Sequence, residues 1–92
     1  MTGNLDMNTT NKIINVADRH QDYCEKIKSQ LVKQGFRVET NYDSEGVGKK
    51  IALARDNDKP NYMLILGDKD IENKTVSVRT RKFENGKNNW VP

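Results

Sequence analysis

The side chains that could carry covalent or metal chemistry are few. Cys24 is the only cysteine and His20 the only histidine, which excludes a disulfide or a Cys/His zinc site within this chain. Cys24 lies on the apolar stripe of a predicted helix, which favours a packed, inert thiol over a nucleophile. His20 has no second histidine or cysteine nearby in sequence, which favours a surface position over a catalytic base. No Ser/His/Asp, Cys/His or paired-carboxylate pattern indicates a hydrolase or a transferase.

Charged and hydrogen-bonding side chains are abundant instead. Lysine and arginine number 16 against 13 acidic residues, a net charge of +3, so an anionic partner is favoured over a cationic one. The lysines are spread along the chain without a dense arginine-rich block, which fits docking on a shaped RNA better than coating a polyanion. Gly46, Gly48 and Lys49 lack the full spacing of a phosphate-binding P-loop, so they favour a helix start.

The length of 92 residues and the hydrophobic fraction of 34% predict one domain with a thin core. Residues 1–11 show no helical or strand periodicity, so we expect a flexible leader there and the domain at 12–92. No apolar run approaches the roughly 20 residues of a transmembrane helix, and no leader resembles a secretion signal. We therefore expect a cytoplasmic protein with no membrane partner.

Hydrophobic periodicity gives the elements that must position the polar side chains. The pattern predicts a strand at 12–16, a helix at 19–34 with Asp18 as its N-cap, a strand at 36–40, a short helix from Val47 that ends before Pro60, and strands at 62–66, 75–81 and 87–91. Gly35 is predicted to end the first helix in a left-handed conformation, and Asn85-Gly86 to form a tight hairpin turn. Residues 67–74 read as a polar turn.

The order of these elements predicts an α/β fold. Two right-handed crossovers followed by hairpins give a three-layer-like mixed β-sheet of about five strands, β-α-β-α-β-β-β, with flanking helices. The apolar run at 62–66 suits the centre of that sheet. Strand 75–81 alternates apolar and polar residues, which directs Arg79 and Arg81 to its polar face.

Several separated motifs occur in order between residues 12 and 81. They are Gln34-Gly35-Phe36-Arg37-Val38-Glu39, Gly48-Lys49-Lys50-Ile51, Tyr62-Met63-Leu64-Ile65, Gly67-Asp68-Lys69-Asp70 and Val76-Ser77-Val78-Arg79-Thr80-Arg81. Their succession resembles the anticodon-binding domain of threonyl-tRNA synthetases, which are class II aminoacyl-tRNA synthetases. Relatives specific for proline, histidine and glycine share the domain type, but the last three motifs favour the threonine branch. The resemblance implies a mixed, usually five-stranded sheet that hydrogen-bonds anticodon bases.

The resemblance also implies which residues contact RNA. The base-reading positions are Asp70, Arg79 and the pair Ser44 and Glu45, which precedes the second helix. The Arg79 guanidinium can bond a base or a phosphate in two places, whereas the Asp70 carboxylate only accepts hydrogen bonds. Phosphate positioning is expected from four cations, Lys49, Lys50, Lys69 and Arg81.

Each of these assignments has a structural alternative. Asp70 could shape its turn by accepting hydrogen bonds from nearby backbone amides. The arginines could be ordinary solvated residues of an exposed strand face. Tyr42, in a polar turn, is the one tyrosine predicted to be available for stacking on a base.

The chain departs from the family pattern in several places. Ser44 stands where an asparagine is common, Ala52 where an arginine is common, and one extra residue lies between Ile51 and Tyr62. The family's final helix does not follow Val91, which suggests a truncated or replaced C-terminus.

Two functions are therefore open. In the first, the chain is the anticodon-arm recognition module of a threonyl-tRNA synthetase and supports threonine–tRNA aminoacylation without catalysing it. Its partners would be a threonine-specific tRNA and the catalytic domain of the same enzyme. We expect no cofactor in this domain, because ATP, magnesium and zinc would belong to that catalytic domain. In the second, a stand-alone, synthetase-like paralogue uses the fold as a regulatory or protein-interaction module.

Overall fold

The computed structural model describes residues 9–92. Its strands are β1 (Thr10–Asn15), β2 (Arg37–Asn41), β3 (Tyr62–Leu66), β4 (Ser77–Glu84) and β5 (Lys87–Val91). Its helices are α1 (Gln21–Lys33), α2 (Val47–Leu53) and α3 (Asp68–Asn73). A 3₁₀ turn at Asp18–His20 leads into α1, and a π-helical segment at Ala54–Asp58 continues α2. No helix within this described part is long and apolar enough to cross a membrane.

The five strands form one mixed sheet in the order β2-β1-β3-β4-β5. β1 pairs in parallel with β2 and β3, while β4 runs antiparallel to β3 and β5. β3 is therefore the central strand, as its continuous apolar run predicted. The predicted five-stranded mixed architecture is confirmed.

The core consists of two clusters, one on each face of the sheet. Ile13 and Ile14 mark the two faces because successive strand residues point in opposite directions. On the α1 face, buried Ile13, Cys24, Leu64 and Leu66 are covered by the helix stripe Tyr23, Ile27 and Leu31. On the α2 face, buried Ile14, Ala54 and Met63 are covered by Val47, Ile51, Ile65 and Trp90. The predicted position of Cys24 on the buried stripe of the first helix is thus confirmed.

The first strand begins earlier than predicted. Thr10 and Asn11 belong to β1, where they pair with Arg37 and Val38 of β2. The Asn11 amide also donates a hydrogen bond of 3.3 Å to the Arg37 carbonyl oxygen. These residues lack an apolar pattern because their place in the sheet depends on backbone pairing with distant strands. The rest of the predicted leader, residues 1–8, lies outside the described residues.

The start of the first helix is built around a buried histidine. Asp18 is not an N-cap but the first residue of the 3₁₀ turn. His20 is only 1% exposed, so its predicted surface position was wrong. Its Nδ1 accepts the Ala17 N–H at 3.0 Å, and its Nε2 lies 2.6 Å from a carboxylate oxygen of Asp68. A neutral imidazole offers one acceptor and one donor, so both ring nitrogens are satisfied without solvent.

The segment predicted as a polar turn after β3 contains the helix α3. Gly67 is its N-cap, and Lys74 ends it in a left-handed conformation with φ 54°. At its first residue, hydrogen bonds from Arg19 and His20 hold the pKa of Asp68 well below its usual range. Six residues are too few to show helical periodicity in the sequence, and the helix depends on contacts with other elements.

The chain reverses twice at the residues predicted to do so. Gly35 ends α1 with φ 91°. Asn85 and Gly86 have φ 52° and 76°, the pair of positive angles that a two-residue type I′ hairpin requires. This turn sets Glu84 opposite Lys87 in the β4–β5 ladder, and β4 continues three residues beyond its predicted end.

Candidate nucleic-acid interface

The residues predicted to contact RNA lie mostly on or beside the α2 face of the sheet. Arg79 is paired with Met63 across β4 and β3, and Met63 belongs to the core cluster on that face. Directly paired residues project to the same side of a sheet. Arg81 is paired with Trp90, which packs on the same cluster. The sheet therefore brings the two predicted arginines together on one face.

Arg79 is the predicted base reader that the structure leaves available. It lines an open cavity of about 300 Å³ together with Ile51, Arg55 and Trp90. Among residues 9–92, no hydrogen bond or ion pair holds its guanidinium. All five of its N–H donors are thus free for a ligand.

Asp70 is bonded within the protein, which is the structural alternative to base reading. Asp70 is buried, with only 8% of its surface exposed. One carboxylate oxygen accepts the Gly67 N–H at 3.0 Å and the other accepts the Ser77 hydroxyl at 2.7 Å. Asp70 thereby closes the first turn of α3 and ties that helix to β4. Because both oxygens are engaged inside the protein, the structure does not place Asp70 as a base reader beside Arg79.

Lys50 is likewise internal, and its ammonium is not placed to contact a phosphate. It is 1% exposed, and its ammonium donates to the Asn15 side-chain oxygen at 2.6 Å and to the Asn15 carbonyl at 3.2 Å. Consecutive helix residues point about 100° apart. Lys49 therefore faces solvent while Lys50 faces the end of β1.

The other predicted contacts stay exposed or partly exposed. Ser44 is exposed. Glu45 is partly exposed, and its carboxylate forms an ion pair with the Lys49 ammonium at 3.0 Å. Lys69 is exposed on α3. The carboxyl ends of β1, β2 and β3 meet at one edge of the sheet, so these residues surround that edge. Their contacts with RNA stay predictions.

Arg81 lies further along β4, toward the opposite edge of the sheet. Its guanidinium donates to the Lys59 carbonyl oxygen at 2.7 Å. A guanidinium carries five N–H donors, so this bond leaves others available. Arg81 can therefore anchor β4 and attract a phosphate at the same time.

A further group of cations was not predicted. Arg55, Lys59 and Lys87 line an open cavity of about 590 Å³ between the π-helical segment and the β4–β5 hairpin. Arg55 also lines the cavity of Arg79, so the two cavities adjoin. No family motif includes these residues, and only the course of the hairpin brings them together.

Two residues considered for other chemistry are structural. The Tyr42 hydroxyl donates to a Glu25 carboxylate oxygen at 2.6 Å, and burial together with this bond raises the pKa of Tyr42. Tyr42 packs against the α1-face core, so it is not an open stacking platform. Burial raises the pKa of the Cys24 thiol to about 11, which keeps it protonated and inert. Residues 9–92 contain no group of three or more His, Cys, Asp or Glu side chains placed to hold a metal.

Comparison with known families decides the assignment of this fold. The model of the anticodon binding domain matches residues 10–91. The chain belongs to this family. The match begins at the first residue of β1 and ends at the last residue of β5, so the described sheet is the anticodon-binding domain.

The similar curated proteins are threonine–tRNA ligases. That of Natranaerobius thermophilus is 49% identical over 70 residues, which cover 76% of this chain and 11% of the ligase. That of Clostridium perfringens strain SM101 is 40% identical over 81 residues, which cover 88% of this chain and 12% of the ligase. The chain thus spans only about a tenth of the length of these relatives. The resemblance to the threonine branch is confirmed.

Two solved structures share the fold. The RNA binding domain of the threonyl-tRNA synthetase from Cryptosporidium parvum superposes with a TM-score of 0.74 at 20% identity, covering 90% of this chain and 20% of that one. A putative threonyl-tRNA synthetase from Aeropyrum pernix gives the same TM-score at 21% identity, covering 92% of this chain and 20% of that one. At this identity the superposition establishes the architecture of the anticodon-binding domain.

Proposed function

We propose that this anticodon-binding domain recognises the anticodon arm of threonine tRNA and thereby supports aminoacylation by a threonine–tRNA ligase. The reaction itself belongs to a catalytic domain, which would also hold the ATP, magnesium and zinc. The domain works without a cofactor of its own, in the cytoplasm. The similar threonine–tRNA ligases support this assignment.

The free guanidinium of Arg79 is the observation that carries the proposal. Anticodon bases are single-stranded, so their Watson–Crick edges can reach the surface of a protein. A guanidinium presents a planar fork that bonds a base carbonyl and a ring nitrogen together. Arg79 has this fork open in a cavity on the α2 face, which Ile51 and Met63 also line.

The surrounding charges fit a supporting role. Lys49, Lys69 and Arg81 are exposed cations near or on the same face, and phosphate contacts of this kind position an RNA without reading its sequence. Ser44 can both donate and accept a hydrogen bond at the start of α2. We therefore assign sequence reading chiefly to Arg79 and positioning to the lysines.

Replacing Arg79 by alanine tests this assignment. We expect binding of the threonine tRNA anticodon arm to weaken by about 1 to 3 kcal/mol, because a bidentate base contact is lost. Folding stability should hardly change, because the guanidinium has no partner within the described chain. The measurement is a fluorescence titration at fixed salt, with thermal unfolding recorded for the same samples.

Lys49→Gln is the matched control on the neighbouring helix. It should weaken binding of the cognate arm and of an anticodon-mutated arm equally, and reduce the dependence on salt, because a phosphate contact carries no sequence information. If Arg79→Ala instead behaved like Lys49→Gln, or bound as tightly as the unmodified protein, Arg79 would not read a base.

A further inference from the structure

The β4–β5 hairpin extends beyond the central sheet. β4 pairs with β3 from Ser77 to Thr80, and the Arg81 N–H donates to the Asn61 carbonyl oxygen at 3.0 Å, so the residues after Arg81 are paired with β5 alone. Two side chains fasten this extension to the segment before β3. Arg81 donates to the Lys59 carbonyl oxygen at 2.7 Å, and Trp90 Nε1 donates to the Pro60 carbonyl oxygen at 2.9 Å. The hairpin is thus held beside the π-helical segment, and the cavity of about 590 Å³ opens between them.

The lining of this cavity favours an anion. It includes three cations, Arg55, Lys59 and Lys87, and one acid, Asp56. Asp56 is engaged by Arg55 at 3.3 Å, whereas the ammonium groups of Lys59 and Lys87 form no ion pair within residues 9–92. Asp58, which follows nearby, is neutralised by Lys12 at 2.9 Å. The two lysines therefore present uncompensated positive charge, and phosphate is a ligand that ammonium groups bind as point charges.

An exposed aromatic ring lies on the hairpin opposite a residue that lines this cavity. Phe83 is 70% exposed, and it is paired across the hairpin with Asn88, which lines the cavity. Residues two apart on a strand share one face, so Phe83 continues the row that Arg79 and Arg81 begin. The distance from Arg79 to Phe83 along an extended strand is about 13 Å.

We propose that this hairpin surface is a second nucleotide-binding site, specific for single-stranded RNA. Phe83 stacks on an unpaired base, and Lys59 and Lys87 bind the phosphates next to it. Base stacking on an aromatic ring tolerates any sequence, so this site adds affinity while Arg79 adds selectivity. The inference rests on the proposed function, since it extends the RNA surface of that domain along β4.

The combination of groups favours RNA over an acidic protein. Both partners would satisfy the lysines, but only a nucleic acid supplies flat, unpaired π-surfaces beside its negative charges. The row of Arg79, Arg81 and Phe83 places two guanidinium groups and a ring in succession on one strand face, which suits a chain of phosphates and bases.

The test uses the full chain and the threonine tRNA anticodon arm, labelled with 2-aminopurine at one unpaired position at a time. We expect at least one position to be quenched on binding, because its base stacks on the Phe83 ring. Phe83→Leu should abolish that quenching and weaken binding about fivefold to a hundredfold. The loss should be the same for the cognate and the anticodon-mutated arm. Phe83→Tyr keeps the ring and should retain both quenching and affinity.

The lysines are tested by the double variant with Lys59→Gln and Lys87→Gln. The slope of log affinity against log salt should fall by about 1.4, because about 0.7 is contributed by each single-strand phosphate contact. Lys82→Gln is the control, since Lys82 does not line the cavity and forms an ion pair with Glu84 at 2.8 Å. It should leave the slope nearly unchanged.

The outcomes separate this inference from the proposed function. Suppose that the unmodified protein discriminates between the two arms, and that Phe83→Leu shows the same affinity and the same quenching as the unmodified protein. The hairpin site is then overturned and anticodon reading stands. If the protein shows no discrimination but Phe83→Leu still loses affinity and quenching, anticodon reading fails and the hairpin site stands. If poly-glutamate displaces the labelled arm as effectively as unlabelled RNA does, the site is overturned in favour of an acidic protein partner.

Discussion

The free energy of unfolding is expected to fall by about 2 to 4 kcal/mol when Lys50 is replaced by methionine, because two buried acceptors lose their charged donor. The ammonium of Lys50 bonds both the carbonyl and the side-chain oxygen of Asn15. Methionine fills much of the same volume with apolar atoms, so the cavity left behind is small. The loss therefore reports the unsatisfied oxygens at the end of β1.

Urea unfolding followed by circular dichroism measures this difference, with Lys49→Met as the control. The two lysines are adjacent in sequence, but Lys49 is exposed and forms only a surface ion pair with Glu45. Its replacement should change stability by less than about 0.5 kcal/mol. Adding Asn15→Leu to Lys50→Met should recover part of the loss, since apolar groups then replace both partners. Equal stability of both single variants would show that Lys50 is not held inside.

Replacing Asp70 by alanine is also expected to cost about 2 to 4 kcal/mol of folding stability. The carboxylate accepts one hydrogen bond from Gly67 and one from Ser77, and bonds to a charged acceptor are the stronger kind. Without it, the first turn of α3 loses its side-chain cap and its link to β4. Ser77→Ala removes one of the two bonds and should cost about 1 kcal/mol.

RNA binding by the same variants separates the two roles considered for Asp70. If Asp70 acts only inside the protein, folded Asp70→Ala should still prefer the cognate anticodon arm over a mutated one. Stability close to that of the unmodified protein, combined with loss of this preference, would instead make Asp70 a base reader. The measurement is a titration of both arms below the unfolding transition of each variant.

Local patterns predicted the parts of the fold that local physics determines. Gly35 and the Asn85-Gly86 turn need positive φ angles, and glycine and asparagine are the residue types that most readily adopt them. The apolar run of β3 and the alternation around Arg79 follow from which faces of each strand are buried. These features alone predict that Arg79 and Arg81 share one strand face.

What the sequence could not show depends on partners far along the chain. Lys50 is buried while Lys49 is exposed, because Asn15, 35 residues before Lys50, lies at the end of β1 and accepts a hydrogen bond from the Lys50 ammonium. His20 is buried because Asp68 and the Ala17 amide satisfy its ring. The helix α3 depends on Asp70 as a cap, which residue type alone cannot distinguish from a polar turn.

The hairpin site was missed for a related reason. The alternating pattern predicts that β4 ends at Arg81, so it does not place Phe83 on the strand face that carries the arginines. The cations Arg55, Lys59 and Lys87 belong to three different segments, and only the fastening of the hairpin by Trp90 and Arg81 brings those segments side by side. Such a surface has no sequence motif.

The most direct test of anticodon recognition is the affinity of the unmodified protein for two RNAs, the threonine tRNA anticodon arm and the same arm with its anticodon replaced. Both are titrated across a range of salt concentrations, because the electrostatic part of binding falls steeply as salt rises. We predict two parallel lines of log affinity against log salt, with the cognate arm bound more tightly throughout. Superimposed lines would mean that charge alone binds the RNA and would contradict anticodon reading.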